Sequence, residues 1–203
     1  MRTTRNTALF ALIGSLIAAS AHAQAPQTVR LRGTIEKVDS NTVMAKSDKG
    51  DELKINLADK MTVVDVSKAT MADIKDGEFI GSGAVPQPDG SQKAIEVHIF
   101  PEAMRGTGEG FRPWDGAPSG TMTNGTVGAA VTGVNGPVVT IKYKDGEKNI
   151  IVGPDVPIVR YEVGGMSDLK PGVAFSVLAA TKQPDGSFNI SRINVGKNGV
   201  IPR

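Results

Sequence analysis

The organisation of this chain follows from the segment Phe100–Met122, which reads FPEAMRGTGEGFRPWDGAPSGTM. It is the only long segment that occurs once, because the sequences on its two sides resemble each other. Glycines and prolines recur through it and interrupt any long helix or strand. Large side chains such as Trp114 stand between the glycines, whereas a flexible linker is rich in glycine and serine alone. We therefore predict an ordered loop between two related halves.

The two halves align with an offset of about 95 residues, residues 30–100 on residues 123–196. The clearest match is Gln-Pro-Asp-Gly-Ser, which occurs at 87–91 and again at 183–187. In such a turn proline fixes φ, aspartate bonds its own backbone and glycine takes a left-handed conformation. Two copies at this period indicate a duplicated domain rather than a solenoid, which needs shorter and more numerous repeats.

Each half has the pattern of five short strands. In the first half these are Val29–Val38, Thr42–Ser47, Leu53–Leu57, Glu78–Val85 and Lys93–Phe100. A long connection, residues 58–76, contains a stretch suited to one helical turn, Ala69–Lys75. A three-strand meander, such a connection and a hairpin follow the order of a small Greek-key barrel of the OB type. A small open sandwich fits the same pattern.

We therefore predict an all-β chain of two tandem OB-like five-stranded barrels, joined by an ordered loop rich in glycine and proline. The expected boundaries are 1–23 for a signal peptide, 24–100 for the first barrel, 101–122 for the loop and 123–203 for the second barrel. A barrel of about 75 residues has a marginal core, so the halves are expected to pack together.

The first 23 residues have the layout of a secretory signal peptide. Arg2 and Arg5 form a basic start, Ala8–Ala19 is an apolar run, and 21–23 is a small-x-small cleavage site. The alternative, a membrane anchor, would need about 20 apolar residues to cross the bilayer. The pattern predicts a periplasmic protein with no transmembrane segment in the mature chain.

Composition excludes several functional classes. Removing the leader lowers the basic residues from 23 to 21, equal to the 21 acidic residues, so the mature chain is formally neutral. Nucleic-acid-binding proteins carry a strong basic excess, and we therefore expect no nucleic-acid partner. The chain has no cysteine, and of its two histidines only His98 follows the leader. Thiol catalysis and thiolate metal sites are excluded.

Three motifs give the chain a family resemblance: GTIEKVD at 33–39, QPDGS at 87–91 and EVHIFPEAMRGTGEG at 96–110. On these it resembles a group of uncharacterised exported proteins of Gram-negative bacteria that carry a small β-barrel domain of unknown function. Similar proteins are sometimes labelled metal transporter permease, a label this sequence does not support because it has no membrane-spanning segments. The resemblance implies the fold and the compartment and no catalytic residues.

The central loop contains the main candidate binding residues, Arg105, Phe111, Arg112 and Trp114. One interpretation is that Phe111 and Trp114 fill the groove between the barrels. The other is that Arg105, Arg112 and Trp114 form a docking surface, because arginine and tryptophan are enriched at interface hot spots. The run Gly106–Gly110 lacks the spacing of a phosphate-binding loop.

A metal site is the alternative hypothesis. Glu96 and His98 should point to one side of a strand, opposite Ile95, and with Glu102 they could begin a zinc or copper site. The matching positions of the second half are Arg192 and Asn194, which favours an ordinary polar strand face. We expect no cofactor.

Catalysis is not expected. The chain has no nucleophile-elbow pattern and no second histidine after the leader to act as a base. Asp73 and Asp168 recur before turns and are predicted to shape them. The sequence thus predicts a non-enzymatic periplasmic protein for binding or assembly in the cell envelope, with the central loop and strand faces as its contact surface. The partner, an envelope protein or a small ligand, stays open.

Overall fold

The computed structural model describes residues 28–133 and 136–202, so the predicted signal peptide lies outside the described residues. The described chain is built of strands and three single 3-10 turns, which confirms the all-β prediction. The strands are β1 Thr28–Asp39, β2 Thr42–Ser47, β3 Glu52–Ala69, β4 Phe79–Pro86, β5 Gln92–Ile99, β6 Gly110–Pro113, β7 Thr121–Gly133, β8 Gly136–Tyr143, β9 Gly146–Ile151, β10 Ile158–Val163, β11 Ala174–Lys182 and β12 Phe188–Gly196. The turns are Met71–Asp73, Glu102–Met104 and Met166–Asp168.

Five strands form a closed β-barrel. Strands β11, β1, β2 and β3 pair antiparallel in that order, and β12 closes the circuit by pairing with β11 and, in parallel, with β3. Alternate residues of β1, such as Leu31 and Ile35, point into a core of aliphatic side chains around Phe175. In a closed barrel, successive side chains of a strand point alternately to the interior and to the exterior, as they do here.

A second ring of paired strands contains β4, β5, β7, β8 and β9. Strand β4 pairs antiparallel with β5 and β7, and β8 lies between β7 and β9. A short parallel pairing of β5 with β9, at Gln92 with Ile150 and Lys93 with Ile151, completes the ring. Its core is aliphatic and includes Val97, Ile99, Val139 and Ile141.

The rings do not follow the halves of the sequence. The β4–β5 hairpin, expected to complete the first barrel, lies in the second ring, and the β11–β12 hairpin lies in the first barrel with β1 and β3. The expected boundaries 24–100 and 123–203 therefore do not coincide with the closed units. The strand pairings therefore do not show two tandem barrels, each built from one half of the sequence.

The physical reason is the length of β3. The predicted strand Leu53–Leu57 continues to Ala69, because residues 62–66, Thr-Val-Val-Asp-Val, are mostly β-branched. Strand β3 pairs with β12 of the first barrel up to Val66, with an irregularity between Leu57 and Thr62, and its last residues, Val64–Ala69, pair with β10. Strand β3 therefore carries the chain out of the first barrel before β4 begins. The predicted helical turn is confirmed as the short 3-10 turn at 71–73.

The two rings are joined through β3 and β10. Strand β10 pairs antiparallel with the second part of β3 and in parallel with β5. Between the rings lies a third apolar cluster of Val64, Val66, Phe79, Phe100 and Tyr161. The rings are therefore held together by continuous sheet and by a shared apolar core.

The two Gln-Pro-Asp-Gly-Ser turns have the predicted geometry. Gly90 and Gly186 have φ values of 85° and 84°, in the left-handed region. Oδ1 of Asp89 accepts hydrogen bonds from the backbone N (3.0 Å) and Oγ (2.6 Å) of Ser91, and Asp185 repeats both distances. Among the described residues, no helix is both long enough and apolar enough to span a bilayer.

Candidate functional site

A cavity of about 860 Å³ lies where the central segment crosses between the two rings. Its walls come from the outer faces of β1, β11 and β12, from β5, β7 and β10, and from residues 107–116 of the central segment. The charged and aromatic groups that line it are contributed by distant parts of the chain. The arginines are Arg30, Arg32, Arg112 and Arg192, and the aromatic residues are Phe100, Trp114 and Tyr161.

Glu96 and His98 of β5 are at the inner end of this cavity. Glu96 is 5% exposed, and its Oε1 lies 3.2 Å from Nε2 of His98. Ile95 also lines the cavity, contrary to the expected alternation, because the register of β5 with β4 shifts between Gly83 and Ala84. Such a bulge places an extra residue in one strand and turns its side chain.

Aromatic stacking fixes His98. Its ring is stacked on that of Tyr161, with centroids 5.0 Å apart and an interplanar angle of 23°. Tyr161 in turn contacts Phe100 edge to face at 5.3 Å. Burial raises the pKa of Tyr161, and the nearby carboxylate of Glu96 raises it further, so its hydroxyl stays protonated.

The four arginines differ in their partners. Nη2 of Arg30 lies 2.7 Å from Oδ1 of Asp115, which ties β1 to the central segment. The guanidinium groups of Arg32, Arg112 and Arg192 form none of the ion pairs found in the described part of the chain, residues 28–133 and 136–202.

Two of these three arginines are held by neutral acceptors. Nη1 of Arg112 donates to the carbonyl of Gly108 at 2.5 Å, which orients the guanidinium across the loop. Nε of Arg192 donates to Oδ1 of Asn194 at 3.4 Å. Arg192 is partly buried, and desolvation lowers the pKa of its guanidinium. The positive charge of Arg192 therefore lies in a partly buried environment, which disfavours the charged form of the guanidinium.

Trp114 forms one wall and is only partly buried. Its ring packs against Gly83 of β4, where a Cβ would lie 2.7 Å from Cη2, and against Gly116 and Gly120 of its own segment. Its backbone N donates to the carbonyl of Gly120 at 2.8 Å. Both interpretations of Trp114 therefore have a structural basis, since it braces the loop on β4 and also lines the cavity.

Phe111 lies away from the groove between the rings. Its side chain is 40% exposed, and Nζ of Lys148 lies 4.6 Å from its ring centroid. The interpretation in which Phe111 fills the groove is therefore wrong, because the pairing of β6 with β7 directs this residue to the surface near β9.

Arg105 and Glu102 form an ion pair and lie outside the cavity lining. Nε of Arg105 donates to Oε1 of Glu102 and Nη2 to Oε2, each at 2.7 Å, and Nη2 also donates to the carbonyl of Gly77. The hydrogen bond from Arg105 lowers the pKa of Glu102. Arg105 thus anchors the turn Glu102–Met104 beside β4.

The hypothetical metal set of Glu96, His98 and Glu102 is not assembled. Glu96 and His98 are adjacent, but Glu102 is bound to Arg105. Within the described part of the chain, no group of three or more histidine, cysteine, aspartate or glutamate residues is placed to hold a metal ion.

Sequence reasoning identified Arg112, Trp114, Glu96 and His98 at this place but missed the contributions of the first barrel. Arg30 and Arg32 alternate with the buried Leu31 and were indistinguishable from ordinary outward residues of β1. Arg192 was noticed only as the counterpart of Glu96. Its position at the site depends on the pairing of the β11–β12 hairpin with β1 and β3, which places Arg192 in the same cavity as Glu96.

A second cavity of about 880 Å³ lies on the other side of the same wall. Aliphatic residues and prolines dominate its lining, among them Val152, Val156, Pro157 and Ile201. Glu96, His98 and Tyr161 line both cavities and therefore separate them.

Comparison of this chain with models of protein families, with curated proteins and with solved structures finds no match. The resemblance drawn on the three motifs stays a prediction. Function is therefore argued from the site itself, as a fold alone does not specify an activity.

Proposed function

We propose that this chain is a non-enzymatic periplasmic binding protein of the cell envelope, and that it binds a small ligand in the arginine-lined cavity. One observation carries the proposal: side chains from both rings and the central segment converge on one cavity of about 860 Å³. Small-molecule sites are concave, of roughly 300–1,000 Å³, with a few polar groups among apolar walls. A small ligand fits a concave site of this volume better than a protein partner does.

The pairing of the charged groups favours recognition over chemistry. Asp115 is bound to Arg30, and Glu96 lies against His98, whose ring is stacked on Tyr161. Groups that are already paired are suited to positioning a ligand, whereas an acid or base in catalysis must be within reach of the substrate proton that it transfers. The periplasmic location is supported by the pattern of residues 1–23.

We also infer that the two rings arose by duplication of one OB-like unit, with the hairpins exchanged between copies. The repeated turns at 87–91 and 183–187 support this with matching hydrogen bonds. The matched residues Glu96 and Arg192 line one cavity, so a duplication of this kind would create a composite site.

Trp114 provides a direct test, because it is the only tryptophan in the chain. The mature protein is mixed with a library of small metabolites and, separately, with envelope extract, while Trp114 emission and Tm are recorded. A ligand of the cavity should shift the emission and raise Tm, since a ligand at 100 times its Kd stabilises by about 2.7 kcal/mol.

The two readouts also check the location of binding. A compound that raises Tm without changing Trp114 emission binds elsewhere, for example in the second cavity. The proposal is refuted if no metabolite changes the emission while a protein from the extract forms a stable complex that quenches it, because Trp114 would then lie in a protein interface.

A further inference from the structure

We infer that the ligand of this cavity is a small organic acid, whose carboxylate or phosphate group is bound by Arg32, Arg112 and Arg192. The inference rests on the proposed function and specifies the chemical class of its ligand.

The distribution of arginine is the first support. Seven arginines follow residue 23, and four of them, Arg30, Arg32, Arg112 and Arg192, line this one cavity. None of the 14 lysines, all of which lie within the described residues, lines it. Arginine presents a rigid, planar fork of donors that matches carboxylate and phosphate, whereas lysine offers a single point charge. The selection of arginine indicates an oxyanion ligand.

The charge balance of the lining is the second support. Four arginines against Glu96 and Asp115 leave an excess of two positive charges, with His98 counted as neutral. The mature chain has no net charge, so this excess is local. Arg30 and Asp115 neutralise each other. The excess therefore belongs to the three arginines that have no carboxylate partner.

The placement of Arg192 is the third support. It is partly buried on β12, and its Nε donates to the amide oxygen of Asn194. A guanidinium stays protonated in proteins even when desolvated, so its charge cannot be removed by deprotonation. A bound anion would supply the compensation that a buried charge requires. Arg112, oriented by the Gly108 carbonyl, lines the same cavity from the central segment.

The size of the cavity excludes a lone inorganic anion as the best ligand. A volume of about 860 Å³ leaves room for an organic body beside the acidic group. Trp114, which is only partly buried, supplies apolar surface for that body. We therefore expect phenyl phosphate and benzoate to bind more tightly than inorganic phosphate.

The test uses phenyl phosphate, benzoate, inorganic phosphate, benzyl alcohol and benzylamine as probes with the mature protein. Titrations follow Trp114 emission and heat of binding. The two aromatic acids should bind, while the neutral alcohol and the cationic amine should not. Arg32→Gln and Arg112→Gln should each weaken phenyl phosphate about tenfold or more, because each removes a charge-assisted hydrogen bond.

Lys46→Gln is the matched control, since Lys46 is an exposed cation of β2 outside the cavity lining. It removes the same charge and should leave the affinity within about twofold. Arg112→Lys separates charge from geometry, because it keeps the charge but loses the fork and should still weaken binding. Tm of each variant without ligand identifies any that fail to fold, and Arg32, being exposed, provides a variant independent of Arg112.

The outcomes separate the two proposals. If benzyl alcohol or a neutral metabolite shifts Trp114 emission and the arginine variants bind it unchanged, the acid inference is overturned and the binding function stands. If Lys46→Gln weakens the acids as much as Arg32→Gln does, the attraction is non-specific and the inference is also overturned. If no probe and no library compound shifts the emission, the proposed function fails with it.

Discussion

Gly83 of β4 gives a quantitative test of how the central segment is braced. An ideal Cβ at this position would lie 2.7 Å from Cη2 and 2.8 Å from Cζ3 of Trp114. Ordinary contacts begin near 3.4 Å, so Gly83→Ala would require the indole to move by about 0.7 Å. Overpacking of this kind costs about 1–3 kcal/mol. We expect Gly83→Ala to lower the free energy of unfolding by that amount.

The cost should depend on the indole. In a Trp114→Ala background the closest remaining atom is Cγ of Glu96, at 3.1 Å, which needs only a small adjustment. There Gly83→Ala should be neutral or should stabilise by roughly 0.4–1 kcal/mol, because alanine restricts the unfolded chain more than glycine does. The coupling between the two substitutions is then about 1–3 kcal/mol or slightly more.

Urea denaturation of the four proteins, followed by far-UV circular dichroism, measures this coupling without needing the tryptophan signal. Gly153→Ala is the control, since its Cβ would meet Cγ2 of Val156 at 3.8 Å, an ordinary contact. It should have the same small effect in both backgrounds. Equal destabilisation by Gly83→Ala with and without the indole would refute the packing of Trp114 on β4.

Two further predictions concern ties between distant elements. Nζ of Lys197 donates to Asp168, which lowers the pKa of Asp168 and raises that of Lys197. Lys197→Met should therefore lower the free energy of unfolding at neutral pH. This difference from the unchanged protein should shrink as pH falls through the lowered pKa of Asp168, and also as pH rises through the raised pKa of Lys197. A difference in urea midpoints that does not vary with pH would contradict this. Nδ2 of Asn56 donates to Ser187 at 3.0 Å and to Asn189 at 2.9 Å, so Asn56→Ala should cost about 1–2 kcal/mol in urea denaturation, and an unchanged midpoint would show that these bonds contribute nothing.

The parts of the fold that sequence predicted are those that local chemistry determines. The turn at 87–91 depends on five consecutive residues, and the meander of β1, β2 and β3 on short-range alternation. Asp73 and Asp168 were expected to shape turns, which is confirmed: Asp73 accepts from the backbone N of Thr70 and Asp168 from that of Gly165, each at 2.8 Å.

What sequence could not predict is which meander each hairpin joins. A hairpin with this alternation suits either meander equally, since both meanders present alternating buried and exposed side chains. The choice is made by the extension of β3 to Ala69, which is a tertiary outcome. The candidate site was only partly visible for the same reason. Arg112 and Arg192 line the same cavity although 80 residues separate them in the sequence, and no local pattern encodes this placement.

The exchange of hairpins also determines the order in which the molecule can be completed. Arg32 of β1 pairs with Ser176 of β11, 144 residues later, so the first barrel stays open until the end of the chain has been made. Contacts this distant slow folding, because loop closure must precede them. The strand edges of β1 and β3 remain unpaired meanwhile and invite pairing with other chains. A newly made copy would therefore gain most from a chaperone that shields β1, β2 and β3 until β11 and β12 are available to pair with them.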